Sequence, residues 1–190
     1  MTKSILLVGV GGQGTILASK ILTLGLMQAG YDVKMSEIHG MSQRGGSVSS
    51  QVRYGEKVES PVIEKGKADS IVSFEKMEAL RSLDYLKPGG KLVVNSVEIP
   101  SMSVITGEEK YAADILEEIQ KHVTPKVVNA TELAEELGNE KAANMVLLGT
   151  IIKSMELEEI DWDSIIKENV KPQFVELNCK ALHVGMQAVS

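Results

Sequence analysis

Apolar residues fall along this chain in two kinds of block: short unbroken runs, and longer stretches in which they recur every third or fourth position. The first kind opens the sequence. Residues 4–8, SILLV, have no polar alternation, which is the pattern of a strand buried on both faces of a parallel sheet. Glycines follow at 9, 11, 12 and 14. Residues 15–30, TILASKILTLGLMQAG, place Ile16, Leu17, Ile21, Leu24 and Met27 at helical spacing, and Gly30 supplies a stop. Residues 31–36, YDVKMS, suit a second strand, so the chain opens as strand, loop, helix, strand. Within VSSQVRY, Val48, Val52 and Tyr54 share strand parity against polar partners, predicting a strand exposed on one face. Gly55 begins a turn. Residues 58–63 read as a short returning strand, ended or bent at Pro61, and a returning strand makes the sheet mixed.

The same reading continues downstream. Residues 70–74, SIVSF, predict another central strand, and 75–86 a short helix. Lys87-Pro88-Gly89-Gly90 predicts a turn and 91–95, KLVVN, the next strand. Residues 110–122 fit an amphipathic helix and 126–129 a short strand. Thr131 suits the cap of a helix reaching Leu137. Residues 140–155, containing ANMVLLGTII, predict a helix apolar enough to lie deep in a core. Helices over 162–169 and 173–189 complete a helical tail. The expected fold is α/β: a Rossmann-like, three-layer, doubly wound sheet, mostly parallel but mixed, with a C-terminal helical segment. No low-complexity linker divides it. The expectation is one domain over 1–190, its helical tail starting at about 140.

Composition narrows the function. Twenty basic residues against 26 acidic ones give a net charge of -6, and the arginines are Arg44, Arg53 and Arg81. No lysine-rich run exists, so nucleic acid is not an expected partner. The single cysteine, Cys179, excludes an internal disulfide and a four-thiolate iron–sulfur cluster. The apolar start runs straight into glycines, as a strand does and a signal peptide does not. No run approaches the roughly 20 apolar residues of a membrane span. The expected location is cytoplasmic, with no membrane partner.

Two segments carry the candidate chemistry. GVGGQG, residues 9–14, has the G-x-G-x-x-G spacing between a strand and a helix. Glycines there allow a tight turn and close approach of a ligand, and the helix start can receive a phosphate. Glu37, after the second strand, stands where a dinucleotide site places the carboxylate that holds a ribose. A tight strand–helix connection with no ligand explains the same glycines. The second segment is SEIHGMSQRGGSVSS, residues 36–50. Arg44 can fork onto an anion beside the unencumbered amides of Gly45 and Gly46. His39 can donate to an anion or shuttle a proton, and Glu37 can orient either group. The serines have no activating partner, and one histidine with one carboxylate makes no metal site. The same segment could instead hold a subunit interface. Gly9, Gly11, Gly12, Gln13, Gly14, Glu37, His39, Arg44, Gly45 and Gly46 are therefore the candidate cofactor- or anion-binding residues, with no catalytic residue and no metal ligand assigned.

Other polar residues have plainer readings. Asp69 is a cap or turn group, at a position where α/β sheets also place functional residues. Asn95 and Asn129 each end a strand and could line the crevice. Cys179 is a small buried hydrophobe, and most of the nine methionines fill core. His122 and His183 lack ligand partners.

The quoted segments resemble one family. ILLVGVGGQG at 5–14, SEIHGMSQRGGSV at 36–48, SPVI at 60–63, ADSIVSFE at 68–75, KPGGKLVVN at 87–95 and NMVLLG at 144–149 are similar to the gamma-type subunit or domain of 2-oxoacid:ferredoxin oxidoreductases. The HGMSQRGG form favours the indolepyruvate branch over the pyruvate branch. The resemblance implies a multi-subunit enzyme that oxidatively decarboxylates aryl-2-oxoacids with coenzyme A, giving acyl-CoA, carbon dioxide and reduced ferredoxin. It implies a larger alpha subunit holding thiamine diphosphate, magnesium and iron–sulfur clusters, with ferredoxin reached through the complex. This chain has neither a thiamine-diphosphate motif nor the cysteines for a cluster, so by itself it holds no cofactor, though a coenzyme A contact is open. A homodimer of the isolated chain is also open. Two other functions stay in view: a free-standing NAD(P)-dependent oxidoreductase, and a purely structural subunit of the same complex.

Overall fold

The computed structural model describes residues 1–40 and 45–189. Among these described residues six strands form one sheet in the order β2-β3-β1-β4-β5-β6. These are β1 (Lys3–Val10), β2 (Asp32–His39), β3 (Ser47–Gly55), β4 (Ala68–Ser73), β5 (Leu86–Asn95) and β6 (Lys126–Val128). Strands β1, β4, β5 and β6 run parallel, while β3 pairs antiparallel with both β1 and β2.

β1 shows why an unbroken apolar run was needed. Its Ile5 and Leu7 enter one core and its Leu6 and Val8 the other, so both faces are dry. The larger core lies under α1 (Thr15–Gln28), α6 (Ala143–Met155), α7 (Trp162–Asn169) and α8 (Val175–Ala188). The smaller one lies under α2 (Lys76–Arg81) and α4 (Ile115–Gln120), with the short α3 (Met102–Ile105) between them in the chain. The layers are therefore helix, sheet, helix, with the C-terminal helical pair on one side.

Several expectations are corrected in detail. Residues 58–63 form no strand. Pro61 cannot donate to a ladder, and side chains hold the segment instead: Val58 N–H donates to Asp32 at 2.8 Å and Ile63 N–H to Gln51 at 2.6 Å. The sheet is mixed because of β3. Lys87–Gly90 lies inside β5 as an irregularity, since Ala68 faces Leu86 while Ser70 faces Lys91. The helix expected over 110–122 shrinks to α4. The cap of α5 (Ala130–Glu136) is Asn129, whose side chain accepts from Glu132 N–H at 3.2 Å, and not Thr131. Helix α1 buries Ala18, Ile21, Leu22, Gly25 and Leu26, while Ile16 and Met27 face outward. The helix is apolar on nearly every side, so spacing alone did not define its inner face.

Candidate functional site

The chain leaves the carboxyl ends of β1 and β4 toward opposite faces of the sheet. β1 feeds α1 over the larger core and β4 feeds α2 over the smaller one. Such a switch point is where open α/β sheets place their crevice. The glycine loop lies here, and so does the start of β3.

The loop is closed on itself by Gln13. Its Oε1 accepts from Val10 N–H at 2.8 Å, and its Nε2 donates to the Phe74 carbonyl at 2.7 Å. One amide thus joins the ends of β1 and β4. A side chain at Gly9 would meet Phe74 Cβ at 2.8 Å and Gln13 Oε1 at 2.9 Å, so glycine is required by close packing. Gly11 N–H donates to the Gly46 carbonyl at 2.9 Å, and Gln13 N–H to Val10 at 3.2 Å. Asn144 of α6 lies against Gly14, donating to its carbonyl at 3.4 Å. Three amides of the loop are therefore engaged with protein acceptors.

Glu37 and His39 lie on β2, which β3 separates from β1. In a dinucleotide-binding fold that second strand pairs directly with the first. Here Glu37 accepts from the Ser19 hydroxyl at 3.1 Å and lies 3.6 Å from His39 Nε2. Gly45 and Gly46 arrive from the other direction. Gly45 is exposed at φ +78, a left-handed geometry suited to glycine, with open space around it. Gly40 N–H donates to Ser47 at 3.0 Å, closing the base of the segment. Arg44 lies outside the described residues. The structure thus brings the glycine loop and Gly45–Gly46 together and leaves Glu37 and His39 a strand further out.

Two buried carboxylates complete the crevice, and sequence reasoning singled out neither. Glu75 is 1 % exposed. It caps α2 by accepting from Glu78 N–H at 3.0 Å, and it also accepts from Ile99 N–H at 3.3 Å and from the Tyr111 hydroxyl. Burial, then the hydrogen bond and charge of Glu75, push the Tyr111 phenol above its ordinary pKa. Glu78 accepts from the Ser47 hydroxyl at 2.5 Å and from Arg81 at 2.7 Å. With Val10 and Gly45, the side chains of Glu75, Glu78, Arg81 and Tyr111 line a cavity of about 70 Å³. The signal for Glu75 in the sequence was SFE at the end of a strand, and Glu78 had none.

The remaining candidates are structural. Asp69 sits on β4 at the amino end, away from the crevice, and accepts from Ser4 N–H at 2.8 Å. Asn95 donates to the Phe74 carbonyl at 3.1 Å and accepts from Ala130 N–H at 3.0 Å. Burial, with Asp163 beside it, pushes the Cys179 thiol up to about 11, away from the thiolate form at neutral pH. Among the described residues no group of three or more His, Cys, Asp or Glu is placed to hold a metal.

Comparison with known proteins agrees with this architecture. The family model described as pyruvate ferredoxin/flavodoxin oxidoreductase matches residues 4–188. The chain is 41 % identical to the indolepyruvate oxidoreductase subunit IorB of Archaeoglobus fulgidus, over 100 % of this chain and 97 % of that one. It is 38 % identical to the IorB of Thermococcus kodakarensis, over 97 % and 95 %. A crystal structure of the keto/oxoacid ferredoxin oxidoreductase gamma subunit from Geobacter sulfurreducens superposes with TM-score 0.72 at 23 % identity, over 98 % of each chain. The 2-oxoglutarate:ferredoxin oxidoreductase of Magnetococcus marinus superposes with TM-score 0.75 at 18 % identity, over 99 % of this chain and 31 % of that one. Those identities speak for the fold alone. The chain belongs to the pyruvate ferredoxin/flavodoxin oxidoreductase family, and with it to a multi-subunit oxidoreductase.

Proposed function

We propose that this chain is the subunit without thiamine diphosphate of an indolepyruvate:ferredoxin oxidoreductase. The complex converts an aryl-2-oxoacid and coenzyme A to acyl-CoA and carbon dioxide, passing the released electrons to ferredoxin. The observation that carries this reading is the gradient of identity along the full chain. It is 34–41 % to indolepyruvate oxidoreductase subunits IorB, but 29 % to 2-oxoglutarate synthase subunits KorC. The residues present do not fit the redox groups of such an enzyme. One cysteine cannot bind a four-thiolate cluster, and the crevice carboxylates are occupied by protein donors. Those groups belong to a larger partner subunit, which ferredoxin meets within the complex.

This chain's contribution is at the crevice mouth. Arg44, with the amides of Gly45 and Gly46, contacts a carboxylate or phosphate of the oxoacid or coenzyme A across the interface. The exposed Gly45 supports this, as do the bonds that pin both flanks of the segment: Gly40 to Ser47, and Gly46 to Gly11. Glycine-loop phosphate binding is the weaker reading, because Gln13 and Gly46 already occupy that loop. Substituting Arg44→Ala in the assembled complex is expected to lower turnover or raise the KM for coenzyme A or oxoacid at least tenfold. Unchanged kinetics in an intact complex would leave the chain a structural subunit.

A further inference from the structure

Between β5 and α4 the chain runs through residues 96–114 with only the single turn of α3 in it. Connections longer than about 12–15 residues with no regular structure are uncommon in compact domains, and those that exist are usually functional. This one leaves the carboxyl end of β5, the same end of the sheet that carries the crevice. It adds nothing to the core. No residue of 96–114 is buried, and Met102, Val104 and Ile105 pack against neither apolar cluster. Residues 100–110 bond to one another instead. Ile105 N–H donates to Ser101 at 3.0 Å, Thr106 N–H to Met102 at 2.8 Å and Glu109 N–H to Ser103 at 3.0 Å, while the Ser103 hydroxyl donates to Glu109 at 2.7 Å. Among the described residues no hydrogen bond or ion pair joins 100–110 to the rest of the chain.

The attachments lie at the two roots, and both meet on one atom. Glu75 Oε1 accepts from Ile99 N–H at 3.3 Å on the near side and from the Tyr111 hydroxyl on the far side. Glu75 Oε2 is the oxygen that caps α2. The near root is tied back further: Lys76 N–H donates to the Val97 carbonyl at 3.2 Å, and Lys76 Nζ pairs with Glu98 at 2.5 Å. The far root continues into Ala112 and Ala113, both small and exposed. Ile99, Ser101, Val104 and Tyr111 of this segment line the cavity of about 70 Å³ together with Val10 and Gly45. Ligand pockets run to roughly 300–1,000 Å³. With the segment in this position, neither an aryl-2-oxoacid nor coenzyme A fits beneath it.

We infer that residues 100–110 are a flap over the crevice, swinging as one body about 97–99 and 111–113 and latched by Glu75 Oε1. The inference rests on the function proposed above, which brings a reactant to the Gly45–Gly46 turn, and it says how that reactant enters. Opening breaks two hydrogen bonds and uncovers no core, so it lies at the low-cost end of native-state motion. Helix α2 keeps its cap through Glu75 Oε2 while the latch is open.

The test traps the open state with an aromatic disulfide reagent that labels thiols. In the full chain carrying Cys179→Ser, Val10→Cys puts a thiol beneath the flap and Val52→Cys puts one in the larger core, at sites 5 % and 0 % exposed. Labelling is expected at least a hundredfold faster at position 10 than at position 52, and Tyr111→Phe should speed position 10 about tenfold. Replacing 101–109 by a Gly-Ser-Gly-Ser linker is feasible because the roots share one atom. It should speed position 10 further and leave the melting temperature at the wild-type value. Labelling as slow at 10 as at 52, or unmoved by the linker, overturns the flap. In the assembled complex the linker variant should keep the wild-type yield of complex and lose turnover at least tenfold, since the crevice can no longer close on its reactant. Wild-type turnover there overturns the gating role. Labelling of the isolated chain reads the flap and Arg44→Ala kinetics read the contact, so the two readings fail in different measurements.

Discussion

Asp69 shows how a polar residue in a strand can be structural. It bonds Ser4 N–H and pairs with Lys87 and Lys3, tying β1 and β5 to β4 at the end opposite the crevice. Burial raises its pKa, but the Lys87 hydrogen bond, the Ser4 amide and both lysine charges outweigh that and hold the carboxyl below its usual range. A carboxyl depressed in the folded state stabilises above its unfolded pKa, and that contribution fades as pH falls through the folded value. Asp69→Asn should therefore weaken urea resistance at neutral pH, and the gap to wild type should narrow once pH drops below the usual carboxylate range. A gap of constant size would remove ionisation from the explanation. At the crevice, Tyr111→Phe takes one donor from the buried Glu75 carboxylate and leaves two amides in place. The expected cost is about 1.5 kcal/mol, or a melting temperature lower by roughly 3–6 °C in calorimetry. Glu75 and Tyr111 stand 36 positions apart, with no spacing to connect them, so this pair was illegible in the sequence. The glycine loop was legible because its residues are contiguous. What Gln13 does there depends on Phe74, which only the fold brings near.

Elements were legible where one local cause dominated. α7 runs from Trp162 to Asn169, matching the helix expected there, because Asp161 caps it by accepting from Ser164 N–H at 3.1 Å. The helix expected over 110–122 failed because its first part serves the crevice through Tyr111 and cannot also wind into α4. Helix α6 reads as apolar in the sequence, but its partner does not. It crosses α8 so closely that a Cβ at Gly149 would lie 2.0 Å from the Leu182 carbonyl oxygen, and one at Gly185 1.9 Å from that of Val146. Backbone cannot swing aside as a flexible side chain does. Gly149→Ala and Gly185→Ala should each cost about 3 kcal/mol or more, at the upper end for overpacked sites. Alanine at Gly138, whose added Cβ meets nothing but whose φ is +98, should cost less. Denaturant midpoints of the three variants compare crowding with backbone strain directly, and equal losses would mean that the α6–α8 crossing can open without penalty.

At the scale of the molecule, the opening strand–helix–strand pattern invites a nucleotide-binding reading that the topology works against. The sequence predicted a mixed sheet from residues 58–63, whereas the antiparallel member is β3, whose polar alternation hid how deeply it lies between β1 and β2. That insertion moves Glu37 one strand spacing, about 4.8 Å, beyond the place a ribose carboxylate occupies beside β1. At the same time Gln13 fills the turn where a pyrophosphate would approach, and Gly46 takes the Gly11 amide. The Gly11 amide is thus spent on holding the Gly45–Gly46 turn, Gln13 on joining the ends of β1 and β4, and Glu37 on the Ser19 hydroxyl of α1. The isolated chain should show no saturable binding of NAD or NADP, reduced or oxidised, by titration calorimetry up to about 1 mM, a level that still detects interactions worth roughly 4 kcal/mol. Gln13→Ala should not create such binding, because the intervening strand remains. Micromolar nicotinamide binding by the wild-type chain would instead favour a free-standing dehydrogenase, and would require Gln13 to leave the loop when the cofactor enters.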